Sequence, residues 1–385
     1  MENKDKNNIK IKTPVRSPKS LTVVVCVLAA VLVISIALIF VVSQKIDSLA
    51  GADKQLKLSG QSGFSCEYSE AQKLYPFSEG VLKVTNERIS YLTISGNDIY
   101  SSSISYQNPQ CVTFGDYAVV FDLDGYAFTL VDTDKVLYSK PTENKIKAVD
   151  VSENGTVAVI TDSDSSYGVL LLYDVNGTPL SQWSSYNSGY PISCAFNGDS
   201  SLLAVSTLNT NGAVVVPYVR LFTLTEGDKG TEVADNAIFT TEDSVIFSTL
   251  YFVGDKIYCF TSNSVYQISG TEMSKIDFDF SSINRVTLVG DKMYIVYSDG
   301  VSQLNKLAII DGNNTVLYKS DIGSEVNAVC TNGDLYAISV DKRIFIYRGS
   351  ALTDDISVDE DILRMGFISG DKLCVVSSGG VHTVN

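Results

Sequence analysis

An all-β propeller of four-stranded blades, set behind one N-terminal transmembrane helix, is the fold class that three observations predict. Beyond about residue 63 the chain breaks into short runs rich in Val, Ile, Tyr, Phe and Thr, separated by Gly, Asn, Asp and Ser, the pattern of many short strands joined by tight turns. A Gly-Asp pair followed by an apolar run recurs through that region. Ahead of it, Leu21 to Val42 is apolar and uncharged, interrupted only by Thr22 and Ser35.

The apolar run is 22 residues long, which as a helix spans roughly 33 Å and covers a hydrocarbon core of about 30 Å. A lone span must satisfy its own backbone hydrogen bonds, so it is expected to be helical. Residues 1–20 carry Lys4, Lys6, Lys10, Lys12, Arg16 and Lys19 against Glu2 and Asp5, and positive charge beside a span stays inside. The expected organisation is a basic cytoplasmic tail over 1–20, a transmembrane helix over 21–43, a polar linker over 44–63 and an extracytoplasmic propeller over 64–385. A cleaved signal peptide is the rival reading, with small residues around Ala50 and Ala52. The apolar run exceeds the usual signal-peptide length of about 7 to 15 residues, which favours retention as an anchor.

The turn marker stands at Gly115-Asp116, Gly198-Asp199, Gly254-Asp255, Gly290-Asp291, Gly333-Asp334 and Gly370-Asp371, with Asn154-Gly155 filling the gap between the first two. Repeats of about 40 residues holding four strands each mark a propeller. In the cleanest unit strand A runs from Phe247 to Val253, B from Lys256 to Thr261, C from Val265 to Ile268 and D near Met273 to Asp277. The same scheme places B, C and D over 81–104 in the first unit. The last unit, from Ile362, ends after three strands. Eight blades is the count, or seven if the first and last units merge. An open edge strand invites aggregation, so the missing strand is expected from residues 56–68.

Charge divides the chain. The whole carries −15, whereas from Leu58 onward 20 Lys and Arg face 40 Asp and Glu, a net of −20. Such a surface repels nucleic acid and anionic lipid, so nucleic acid is excluded as a partner. His382 is the single histidine. Without an imidazole placed in a pocket, histidine-dependent triads and multi-histidine zinc sites lose their support, and His382 is expected at a surface or edge. Outside the apolar run there are six cysteines, none in a C-x-x-C pair. Cys111, Cys194 and Cys330 fall on A strands and Cys259 and Cys374 on B strands, where buried free thiols are expected. Acid pairs such as Asp122 and Asp124, or Asp162 and Asp164, lack the downstream ligands of a calcium loop and are expected to shape turns. No catalytic residue is assigned, and calcium is the one cofactor the acids leave open.

Topology directs attention to one face. In a four-stranded blade the A–B and C–D turns emerge together, and the longer B–C and D–A connections emerge opposite. Function concentrates on loops held by a rigid scaffold. The variable connections include 184–191, 206–213 and 353–361, which nominates Trp183, Tyr186, Tyr190, Asp354, Asp355 and Asp359 as a partner-binding set. For the aromatics the competing role is packing between blades; for the acids it is a solvated connector.

The stretch from Asp174 through Gly177 to Trp183 resembles the C–D turn of quinoprotein-like and WD40-like repeats, with looser copies at 132–138 and 311–318. With the tail, the span, Tyr91-Leu92, Asn108-Pro109, Tyr173-Asp174 and Gly189-Tyr190-Pro191, the chain resembles an uncharacterised family of membrane-anchored propellers of Gram-positive anaerobes, domain-of-unknown-function family 5711. That resemblance implies a fold and no activity. Quinone-binding residues are not matched, since no two cysteines are adjacent and Trp183 is the only tryptophan. The leading expectation is therefore a non-enzymatic interaction or scaffold module at the cell envelope, bound to an envelope or secreted protein. A calcium-assisted hydrolase, lactonase or lyase is the alternative, and a sensor of small ligands the third reading.

Overall fold

The computed structural model describes residues 54–384, apart from 67–71, 228–229, 303 and 324. The tail over 1–20 and the expected span over 21–43 lie outside the described residues. Within them, no helix is long and apolar enough to cross a membrane.

Eight antiparallel sheets are built from consecutive strands, blades I to VIII, over 72–103, 109–141, 146–184, 190–240, 249–276, 282–323, 326–358 and 362–384. The first strand of each blade lies innermost and the last outermost. The turn chemistry follows the sequence marker. In blade V, Gly254-Asp255 is a two-residue loop between Thr249–Val253 and Lys256–Phe260. Gly254 takes φ +61, a positive value at the first central residue that a tight hairpin demands and that glycine adopts without penalty. Asp132, Asp174 and Asp311 shape the C–D turns, each carboxylate accepting two backbone N–H bonds of 2.6–2.9 Å from the residues after it.

B strands form the dense middle of each sheet. Val157–Thr161 is buried at every position, as is Leu335–Val340, which is why these runs lack the alternation of a half-exposed strand. The core divides into clusters lying between neighbouring blades, such as Leu170, Leu172, Leu203 and Phe222 between III and IV. The D-strand aromatics of the repeat seal those joints. Trp183 packs edge-on against Phe222 at 5.7 Å and Tyr318 against Tyr347 at the same distance.

Closure comes from the N-terminal side. Gly63–Ser65 pairs antiparallel with Gly380–Val384 and becomes the fourth strand of blade VIII, so eight blades form and the first and last units stay separate. The stretch 54–63, expected as linker, is part of the fold. Lys54–Leu56 adds a fifth, parallel strand to Ala351–Val358 of blade VII, and Leu58 is fully buried between blades VII and VIII. Apolar Leu56 and Leu58 carried this signal in a stretch whose polar composition masked it.

Gly63 has φ +152, and a Cβ there would sit 1.9 Å from the Val381 carbonyl oxygen. Gly63→Val is therefore expected to destabilise the domain by ~2 kcal/mol or more, read as a lower urea midpoint; an unchanged midpoint would show that this strand does not hold the ring.

Candidate functional site

The loop over 185–189, between blades III and IV, is fixed from beneath. Buried Ser185 donates its hydroxyl to the Gly189 carbonyl at 2.6 Å. Arg220 donates Nε and Nη2 to the Ser188 hydroxyl at 2.9 and 2.7 Å, and Nη1 to Asp235 at 2.5 Å. The same guanidinium lies 5.2 Å from the Trp183 ring centre, so Trp183 is packed between blades and does not belong to the displayed surface. Tyr186 and Tyr190 do, at 62% and 50% exposure. Tyr190 meets Tyr167 edge-on at 5.0 Å, and the Tyr167 hydroxyl reaches Asn211 on the adjoining B–C loop. Tyr167 was not nominated from sequence, because its partner on the ring lies 23 residues away.

The acids assigned to the loop over 353–361 are placed differently. Residues Ala351–Val358 form the D strand of blade VII; the added strand Lys54–Leu56 pairs with Ile356–Val358, so charges at 354 and 355 fall on the part of the D strand it does not cover. Asp355 is gripped by Arg343 on the neighbouring strand, with Nε at 3.0 Å from Oδ1 and Nη2 on the other oxygen, while Asp354 points to solvent. Asp359 accepts the Leu58 backbone N–H at 3.0 Å, fastening the N-terminal segment. The three are not brought together as a site, nor do they join the tyrosines.

Other acids have backbone duties. Asp122 accepts N–H bonds from Gln107 and Asn108 at 2.9 and 2.7 Å, Asp162 from Lys145 at 2.8 Å and Asp341 from Glu325 at 3.1 Å. In these three blades, II, III and VII, a carboxylate at the end of strand B thus holds the loop that enters the blade. Asp124 is paired with Lys147 at 2.6 Å, which holds its carboxyl below the usual range. His382, expected at a surface, is buried at 7% exposure in the closing blade. Its Nε2 lies 3.0 Å from the Ser377 hydroxyl, which donates to Glu360. Ser377 is 2% exposed and its proton is committed to the carboxylate, so this trio fastens the blade rather than presenting a nucleophile. All six described cysteines are free thiols. Among the described residues, no group of three or more His, Cys, Asp or Glu is placed to hold a metal ion.

The turn end of the ring is acidic. Each blade sets an exposed carboxylate on its A–B turn, from Glu79 and Glu153 and from the six Gly-Asp pairs. Arg348 bridges two of them, Asp334 at 2.7 Å and Asp371 at 2.8 Å. The channel between the A strands carries few charges. One is Asp150, flanked by Val149 and Val151 on blade III and lining a cavity of about 570 Å³ with Ser193, Thr249 and Tyr251. Burial pushes its carboxyl up to about 7, against the opposing pull of the Phe196 and Val151 N–H groups, the former at 3.1 Å. An acid set within an apolar A strand is the signal that could have marked it.

The sequence model described as "Family of unknown function (DUF5711)" matches residues 56–385. The chain belongs to this family. The match starts within the strand Lys54–Leu56, so the DUF5711 region coincides with the closed ring. No curated protein matches this family member significantly. Among solved structures it is similar to BamB from Moraxella catarrhalis, with TM-score 0.53 and 12% identity over 84% of this chain and 98% of that one. AztD from Citrobacter koseri gives 0.54 and 11% over 75% and 86%. BBS1N, solved in complex with ARL6DN, gives 0.50 and 12% over 73% and 92%. At such identities the likeness is one of fold.

Asp150 yields a pH prediction. Its folded value near 7 lies above the unfolded value of about 3.9, so the folded state retains a proton that the unfolded state has lost. Stability therefore falls as pH rises through that window and stays lower above it. Asp150→Asn removes the titration while keeping an acceptor for Phe196. Its melting temperature is expected to gain ~3 °C or more on the wild type between pH 4.5 and pH 8; a difference that stays constant with pH would contradict the assignment.

Proposed function

We propose that this propeller is a non-enzymatic interaction module, held at the cell membrane by residues 21–43 with the ring outside the cytoplasm, and that it recruits an envelope or secreted protein through its B–C and D–A loop face. The observation that carries this reading is the tyrosine patch. Tyr186 and Tyr190 are large, exposed and preorganised by the Arg220, Ser185 and Ser188 hydrogen bonds beneath them. Aromatic anchors of this kind bury much area at small entropic cost, and binding hot spots are enriched in them. The opposite face is ringed by carboxylates, and its exposed aromatic among the described residues is Phe114 beside the Gly115-Asp116 turn. A propeller of similar fold, BBS1N, has been solved holding another protein, which supports partner binding as a use of this architecture.

A membrane-impermeant, thiol-reactive photocrosslinker on intact cells tests location and face together. Tyr186→Cys is expected to react and to capture one defined protein, with capture reduced about tenfold by Tyr190→Ala. Asp255→Cys on the turn face is expected to react and capture no such species. Failure of both cysteines to react would contradict the extracytoplasmic placement, and equal capture from both faces would contradict the assigned surface.

A further inference from the structure

Three of the cations that the A strands turn toward the channel share one neighbourhood. Arg364 is third in Ile362–Ile368, Arg285 fourth in Ser282–Val289 and Lys73 second in Gln72–Phe77, so all lie on the loop-face side of the channel or at its middle. A cavity of about 380 Å³ opens between blades I, II, VI, VII and VIII. Its polar lining is Arg285, Arg364, Asn327, Thr113 and Tyr75, and no Asp or Glu contributes.

The charges there lack counter-ions. Among the described residues, none of Lys73, Arg285 and Arg364 forms an ion pair. Arg364 lies over the Tyr75 ring at 4.5 Å, and Lys73 donates to the Pro109 carbonyl at 2.9 Å. Burial, followed by the charge of Arg364, lowers the Lys73 ammonium from its ordinary value, so the cations repel across this space. The buried Asn327 Oδ1 has no hydrogen-bond partner; a half-turn of the amide would present its N–H donors instead. Asp150 is the acid facing this region, and it lines the other compartment, where it and Arg285 both act on the Tyr251 phenol.

Partly desolvated guanidinium groups without a carboxylate are costly, and the cost is met against the sign of a domain carrying −20. We propose that this cavity binds a small oxyanion, a phosphate or carboxylate group held between Arg285 and Arg364 with Asn327 and Thr113 as neutral donors. Guanidinium forks match the planar or tetrahedral oxygens of such groups. The inference is independent of protein recruitment by the tyrosine patch.

Calorimetry on the full chain in detergent, with inorganic phosphate and succinate as probes and succinamide as the neutral control, tests it. At least one anion is expected to bind saturably and succinamide is not. Arg285→Gln and Arg364→Gln are each expected to weaken binding ~10-fold or more, while Arg88→Gln, at an exposed position outside the cavity, leaves it unchanged. Among the described residues Arg285 stacks on no ring, so Arg285→Gln with an unchanged melting temperature separates lost binding from lost fold. Preference for phosphate would identify a phosphoryl ligand and preference for succinate a carboxylate. Absence of saturable binding by either anion, or equal affinity in the Gln variants, would overturn the proposal.

Discussion

Closure of the ring by three residues from the N-terminal side is the constraint on which everything else rests. Ser62 and Thr383, 321 residues apart, are joined by a backbone hydrogen bond from the Thr383 amide at 2.8 Å and a hydroxyl bond at 3.2 Å. The entropy of closing so long a loop grows only slowly with length, and burial of Leu58 with the strand Lys54–Leu56 adds apolar contact beyond the hydrogen bonds. Ser377, Glu360 and His382 fasten the same blade from within. With Gly63–Ser65 in place the C strand of blade VIII has its outer edge covered like those of the other blades, and the A strands line the channel.

A closed ring also makes the two faces inequivalent. Tight turns with Gly followed by Asp set a carboxylate on one face in six of the eight blades, whereas on the other face several carboxylates of the longer connections accept backbone N–H bonds. Asp122 and Asp162, expected from sequence to shape turns, and Asp341 are structural in this way. Between the faces, Lys73, Arg285 and Arg364 sit on the innermost strands without an ion-pair partner among the described residues, whereas Arg220 and Arg343 on C strands are paired with Asp235 and Asp355. A binding function for the loop face and an anion site below it would thus occupy the same end of the molecule without sharing residues.

Much of this was legible in the sequence because the informative features are local. The Gly-Asp period gave blade number, turn type and the A, B and C strands to within a few residues, and the Asp174 to Trp183 segment gave the inter-blade aromatic. What was hidden depends on contacts distant along the chain. Asp354 and Asp355 look like loop residues because charge usually breaks a strand, yet an outermost strand can expose them and Arg343 compensates one. His382 looks like an edge residue until the closing strand covers it. Asp150, Arg285 and Arg364 are single charges in apolar runs, and only the ring reveals that those runs line one channel.

Native-state hydrogen exchange in blade VIII is the measurement that bears most directly on closure. If Gly63–Ser65 completes that blade, its segment and the partner Gly380–Val384 should exchange together, with protection comparable to the B strand Lys372–Ser377. Rapid exchange of 63–65 alongside a protected remainder of blade VIII would contradict closure by this strand.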